Sequence, residues 1–521
     1  MHAQDRDHDR DDHHRTFFQR GNLVVSRSVY DNNAANVTIG AILPPNCATT
    51  TGGCSASTGA PYNGLYPTVW NNDIYDSNFG ITSKIYLDQV SPFGWLVDSL
   101  EVPTNQLVTS FSSKSELALN LSTNGHYLTF MGYVAPIDTI DASNSNTPAV
   151  IDPTNPVGEN YYRAVAQVDA FGQFQFTETN AYSGNNGRAA ILNNSGGANV
   201  IYTAGNAGNG GKTQPVGVIV GAGAQILTPS TLPESAQTPG TPTPVGSFSV
   251  TQLGDPADKV GKDTNFRGMT VFNNVLYYTK GSGGNGVNTV YFVDTVGGAC
   301  PNGTGLPIAG APLPRTALTY NASTVQKNGL PNNMCILAGF PTLSNKDGNP
   351  VNFPFGLWFA DAHTLYLADE GDGYTSASDL YTHAAAQTYA GLEKWVFDSA
   401  SQTWKLAYTL QKGLDLGSPY TVWGYPTGDN AATGLPWAPA TDGLRNITGH
   451  VDGFGLVTIW GITSTVSGNG DVGADPNRLV AITDWLKNTN ASVAGHERFF
   501  TLREARYGEV LRGVSFAPEA Q

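Results

Sequence analysis

Phe355-Gly356-Leu357-Trp358-Phe359-Ala360 and Thr364-Leu365-Tyr366-Leu367-Ala368 are followed by Gly391-Leu392-Glu393-Lys394-Trp395-Val396-Phe397 and Thr403-Trp404-Lys405-Leu406-Ala407-Tyr408-Thr409-Leu410. Each run is short, apolar and aromatic, the signature of a strand. Asp361-Ala362-His363 separates the first two runs and Asp398-Ser399-Ala400-Ser401 the last two. Such short polar spacers predict tight turns between antiparallel neighbours. The region therefore reads as a four-stranded antiparallel meander, with almost no helical periodicity to compete.

The same order recurs from Leu117 to Thr179, Arg188 to Thr251, Arg267 to Ala338 and Arg445 to Arg503, at spacings of about 70 to 90 residues. A last group is expected to be shared between the ends of the chain. Leu511 to Phe516 would be its innermost strand, with Asn22 to Val29, Ile81 to Val90 and Trp95 to Val102 outside it. Closing a ring in this way removes exposed sheet edges. The predicted fold class is all-β: a six-bladed β-propeller closed by strands from both termini. Seven blades is the alternative, because the insertions are long enough to hide strands, while an elongated solenoid fits the non-uniform groups less well. Gly21-Asn22-Leu23-Val24-Val25, Lys84-Ile85-Tyr86-Leu87-Asp88 and Leu365-Tyr366-Leu367-Ala368-Asp369-Glu370-Gly371 carry a resemblance. On them the chain resembles the β-propeller superfold and is similar to large secreted microbial propellers of unassigned activity. The resemblance spans most of the chain after about residue 20 and carries over no functional residue.

Sixty Gly and 31 Pro among 521 residues, with only 13% charged, suit short strands joined by many turns. No run of about 18 apolar residues occurs, so no membrane span is expected. The net charge of -15 and a pI near 4.9 argue against a nucleic-acid partner, which needs a basic surface. Few lysines, abundant Asn, Thr, Ser and Gly, and four cysteines point to a secreted protein. Local pairing, Cys47 with Cys54 and Cys300 with Cys335, is the expected connectivity of three, against a reading of four free thiols. His2-Ala3-Gln4 reads as the remnant of a cleavage site behind an added Met. Residues 1–20 are expected to form a disordered tail and residues 21–521 a single propeller domain. The tail histidines His2, His8, His13 and His14 read as solvated rather than metal-binding.

One local pattern recurs across the groups: an arginine leading straight into a strand, as in Gly187-Arg188-Ala189, Phe266-Arg267-Gly268, Leu444-Arg445-Asn446 and Leu511-Arg512-Gly513. In a propeller the innermost strands begin on one face. Arg188, Arg267, Arg445 and Arg512, with Lys114 before a further inner strand, are thus expected to surround the axial opening. Guanidinium forks there would hold a carboxylate, sulfate or phosphate in two-point fashion. The competing reading ties each arginine to a neighbouring acid or carbonyl between blades.

Second strands end on the same face, which brings in Tyr30, Tyr133, Tyr202, Tyr278, Asp369 and Glu370. Asp369, Glu370 and His383, the last in the insertion that follows, are the candidate catalytic groups for proton transfer. Turn-forming acids and a solvated loop histidine are the plainer readings. A tyrosine beside an arginine is a further candidate, because a cation favours the phenolate, against tyrosines that are simply packed. Asp372 and Asp379 form one candidate calcium site. Asp471 and Asp475, within Asn469-Gly470-Asp471-Val472-Gly473-Ala474-Asp475, form a second that lacks the full twelve-residue helix-loop-helix pattern. His126, His363, His450 and His496 fall at the opposite face, and no histidine spacing suggests zinc. Neither a nucleophile-elbow serine nor a phosphate-binding loop occurs. Sequons stand at Asn36, Asn120, Asn193, Asn302, Asn321, Asn446 and Asn490, with Asn446 too close to an axial arginine to carry a glycan. The functional expectation is a propeller that binds an acidic glycan or a carboxylated small molecule at the arginine face, as a lyase or hydrolase. The alternatives are a non-catalytic extracellular recognition module and a structural surface protein.

Overall fold

The computed structural model describes residues 17–43, 60–61, 80–111, 117–148, 157–179, 181–206, 223–230, 244–248, 265–282, 286–296, 298–300, 303–315, 334–343, 345, 348, 350–431, 433–469 and 473–520. Lys114, Asp471, Cys47 and Cys54 lie outside these residues, as do the tail histidines.

Six antiparallel meanders form the blades of a β-propeller. The meander from Phe355 to Leu410 folds as Pro354–Asp361, Thr364–Asp369, Gly391–Asp398 and Thr403–Leu410, blade five. Blade one takes Glu509–Phe516 as its inner strand, then Leu23–Val29, Thr82–Val90 and Leu96–Glu101. Leu23 pairs with Phe516 on one side and Val90 on the other, so the two ends of the chain are zipped into one sheet. The inner strands of blades two, three, four and six are Asn120–Leu121, Gly187–Asn193, Phe266–Phe272 and Ala440–Val451. Blade four also carries Thr304–Gly305, added in parallel to its outer strand Met334–Leu337. The insertion beside it is tied by the Cys300–Cys335 disulfide, as the spacing predicted. The packed chain starts before residue 20: Phe18 is 1% exposed and its N–H donates to the Ala170 carbonyl, because an apolar ring at that point finds the core of blade two. Among the described residues no helix is long and apolar enough to cross a membrane.

The recurrent arginine pattern is a recurrent bulge. Pairing between the first and second strands slips in five blades: between Gly187 and Ala189, Phe266 and Met269, Pro354 and Leu357, Leu444 and Ile447, and across Leu511 to Val514. Arg188, Arg267, Phe355, Arg445 and Arg512 are the residues caught in those slips. A bulge leaves its extra residue off the ladder and re-aims its side chain. That frees these positions to turn toward the axis and the next blade.

Glycines let the bulged strands touch. A Cβ on Gly268 would sit 2.2 Å from the Phe355 carbonyl oxygen, one on Gly356 2.6 Å from that of Arg445, and one on Gly513 2.3 Å from that of Leu117. The seam is hydrogen-bonded as well. Gly513 N–H donates to Ser26 Oγ at 2.7 Å, and that hydroxyl donates to the Leu117 carbonyl at 2.8 Å. Gly268 N–H donates to Thr279 Oγ1 at 2.8 Å, and that hydroxyl donates to the Phe355 carbonyl. Further out, blades five and six share a buried ion pair, Lys394 Nζ to Asp484 at 3.0 Å, with Tyr408 donating to the same carboxylate at 2.8 Å.

Candidate functional site

The arginine end of the axis gathers three of the predicted residues around one ring. The guanidinium carbons of Arg267 and Arg445 lie 5.6 and 5.5 Å from the centroid of Phe355, which occupies the equivalent bulge of the blade between them. An aromatic face attracts a cation, so Phe355 lets two like charges share a small space. Glu370, just past the end of the second strand of blade five, completes the arrangement. Arg445 Nε donates to it at 3.1 Å, and Arg267 Nη2 stands 3.6 Å from its other oxygen. All three side chains are at most 8% exposed. Of the remaining two arginines, Arg188 reaches the next blade and Arg512 bonds within its own. Arg188 Nη1 donates across to the Phe266 carbonyl at 2.9 Å and to Asn265, and Arg512 Nε donates to Ser28 Oγ at 3.2 Å.

Acids stand behind this layer. Asp369 accepts from Phe353 N–H at 2.5 Å and from Gly371 N–H at 2.9 Å, and burial pushes its pKa up to about 7 against the pull of those two donors. Asp442 accepts from Gly373 N–H at 2.9 Å and Gln387 Nε2 at 2.6 Å, and burial likewise raises it to about 7. Glu393 accepts from Trp395 Nε1 at 2.7 Å and is raised, first by burial and then by the charge of Asp369. Desolvation penalises the ionised form of each. At neutral pH the arginine end therefore carries less negative charge than its carboxyl count suggests.

His383 falls in the short helix Leu380–Ala386, inserted between the second and third strands of blade five. Its Nε2 is 2.6 Å from Asp372 Oδ2, and its ring stacks on Tyr374 with centroids 4.1 Å apart. With its side chain 37% exposed, His383 is the most accessible of the proposed proton-transfer groups; Asp369 and Glu370 are buried. Three of the four acids read as calcium ligands fall among the described residues. Asp372 faces His383, Asp379 interacts with the Tyr374 hydroxyl, and Asp475 accepts from Tyr425, from Asn469 at 3.0 Å and from Thr465 at 3.1 Å, while Asp471 is outside the described residues. Among the described residues, three metal-ligand side chains gather at Asp294, Cys300 and Cys335, where both sulfurs are in the disulfide.

The tyrosines are packed rings. Tyr30, Tyr202 and Tyr278 are 4% exposed or less, and burial raises each of them, Tyr202 to about 12. In these three the effect of burial on the phenolate is opposite to the one an arginine would have. Sequence reasoning missed Phe355 because it is an apolar residue standing where the other blades have arginine; the register of its bulge is the signal that finds it. It also missed Asp442 and Glu393, which sit inside strands rather than at their ends. Arg163 went unnoticed too. It is fully buried with its guanidinium on the carbonyls of Tyr161, Ser143, Ser145 and Asn185, at 2.7 to 3.0 Å, and burial lowers its pKa to about 10.

No protein-family model matches the chain, and no curated protein matches it. Among solved structures, a crystallised ACO/RPE65 chimera is similar at 9% identity and a TM-score of 0.20, over 84% of this chain. The chain matches 59% of that protein's length, less than two thirds. A likeness of that size carries no argument about activity.

Proposed function

We propose that this chain is a secreted propeller that holds a carboxylate, on an acidic glycan or a smaller acid, at the arginine end of its axis. The observation that supports this reading most is the way Arg445 is used. It engages Glu370 through Nε, while neither Nη1 nor Nη2 hydrogen-bonds to any described residue. Those two nitrogens form the edge of the guanidinium that binds a planar oxyanion in two-point fashion. Two guanidinium groups share one carboxylate here, and burial raises the acids behind them toward neutrality. In a chain of net charge -15 that is an uncommon place for an anion to be welcome.

As an enzyme the protein would be a lyase or hydrolase, with His383, held by Asp372, moving the proton. The burial of Asp369 and Asp442 favours a second reading, a recognition module, because neither acid reaches solvent to touch a substrate. One experiment separates them. Calorimetric titration with uronate oligosaccharides and their neutral counterparts is run on the wild type, Arg445→Lys and His383→Asn, with product analysis alongside. Uronate binding that weakens about tenfold in Arg445→Lys, which keeps the charge and loses the fork, supports the site. Turnover abolished by His383→Asn makes it an enzyme, and binding without turnover makes it a receptor. Equal affinity of Arg445→Lys and wild type, or no uronate binding at all, removes the reading.

A further inference from the structure

The other end of the axis holds a second site of different chemistry. A cavity of about 610 Å³ lies there, lined by the second halves of the inner strands of all six blades. Pockets for small ligands run from about 300 to 1,000 Å³. Among the described residues no charged side chain lines it. Its walls mix apolar groups, among them Trp358 and Phe516, with the polar side chains of Thr270, Asn273, Asn274, Thr448 and Ser515. None of those five polar side chains hydrogen-bonds to a described residue.

We infer that this cavity binds a neutral, polyhydroxylated ligand, a sugar residue of an uncharged glycan. Three ligand classes compete, and the lining decides among them. An ion would lose its hydration and find no counter-charge. A purely apolar molecule would strip water from five unpartnered hydroxyl and amide groups and offer none of them a hydrogen bond, a cost charged for each group. A sugar ring matches both parts of the wall. Ser, Thr and Asn each donate and accept, as a sugar hydroxyl does. The C–H face of the ring is apolar and fits against an aromatic plane such as Trp358. That plane is fixed in position: a Cβ on Gly449 would come within 2.7 Å of the Trp358 ring, so the missing side chain lets the indole lie directly against the neighbouring blade. The inference does not rest on the carboxylate reading, since the two sites share no residue.

The test is calorimetric titration of the full chain with cellohexaose, maltohexaose and xylohexaose, with decanol and glucuronate as controls, on the wild type, Trp358→Ala and a Thr448→Val, Ser515→Ala double variant. The expected result is binding of at least one neutral hexaose, weakened about tenfold in Trp358→Ala and severalfold in the double variant, and unchanged in Arg445→Lys. Circular dichroism reports whether each variant is folded; if Trp358→Ala is not, the double variant decides alone. No binding of any neutral hexaose overturns the inference. So does binding that is unaltered in the folded variants, or decanol binding in place of the sugars. Loss of uronate binding in Arg445→Lys with hexaose binding intact separates this site from the carboxylate site.

Discussion

The two ends of the propeller axis are built from the two ends of the same inner strands, and they spend their polar groups in opposite ways. At the arginine end the polar atoms are turned on one another: Ser26 and Thr279 relay hydrogen bonds between blades, Arg188 reaches the next blade's carbonyl, and Arg267 and Arg445 flank Glu370 over Phe355. At the far end the side chains of Thr270, Thr448 and Ser515 face the cavity and hydrogen-bond to no described residue. The difference follows from the bulges. Where pairing slips, side chains and backbone groups leave the ladder and must find partners nearby. Where the strands run in register, as from Ile447–Gly461 to Val451–Val457 in blade six, the ladder satisfies the backbone and the side chains are left for solvent or a ligand.

The sharpest way to break this comparison is to fill the seam at the bulges. Gly268→Ala places a methyl 2.2 Å from the Phe355 carbonyl oxygen, a backbone atom with no room to retreat. We expect a loss above about 4 kcal/mol, or no folded protein, by guanidinium denaturation. A variant as stable as the wild type would mean the inner strands are not locked at this end.

Removing the shared acid comes next. Glu370→Gln leaves two largely buried guanidinium groups without their carboxylate, and one-sided disruption of a buried ion pair costs about 3 kcal/mol or more. The loss should be largest at low salt. If the unfolding free energy changes by less than about a tenth of that, Arg267 and Arg445 are held by their other contacts and Glu370 is not their anchor.

Stability should also depend on pH at this end and not at the other. Asp369 and Asp442 are raised to about 7 in the folded chain, from an unfolded value near 3.8. Below about pH 4 both states hold the proton and the groups contribute fully. Between there and about 7 the unfolded chain releases its protons while the folded chain keeps them, so the wild type loses stability as pH rises. Asp442→Asn removes one titrating group, and its profile of melting temperature against pH should be flatter across that window. Parallel profiles would rule out Asp442 as a source of the slope. No described residue lining the neutral cavity titrates in this range, so hexaose affinity should be flat across it.

How much of this was legible in the sequence depends on whether a feature lives in one strand or between several. Blade five was readable because its four runs follow one another in sequence and the first and last pairs are joined by short turns with their own signature residues. The closure of blade one was readable because a strand-like run was left over at each end. The arginines were visible as a repeated position, yet their partners were not: Phe355 and Glu370 reach them across blades. The far cavity left no mark at all, since each blade contributes one or two ordinary residues, such as Thr270 or Ser515, that read as any exposed strand position. Asp442 and Glu393 look like solvent-facing alternation until the neighbouring strands cover them.

The finest test applies the same change to both ends. Thr279→Val takes the hydroxyl from between Gly268 N–H and the Phe355 carbonyl, both inside the seam, and two buried groups losing a partner should cost about 2 kcal/mol. Thr448→Val removes a hydroxyl that bonds to no described residue and faces the cavity, so stability should stay within about 0.5 kcal/mol of the wild type. Urea denaturation of the two variants side by side reads the contrast directly. Equal losses would show that Thr448 supports the fold, and a group already engaged in the fold is a poor ligand for a sugar. A loss confined to Thr279→Val would mean the far-end hydroxyl does nothing for stability, which is the expected condition of a group kept for binding.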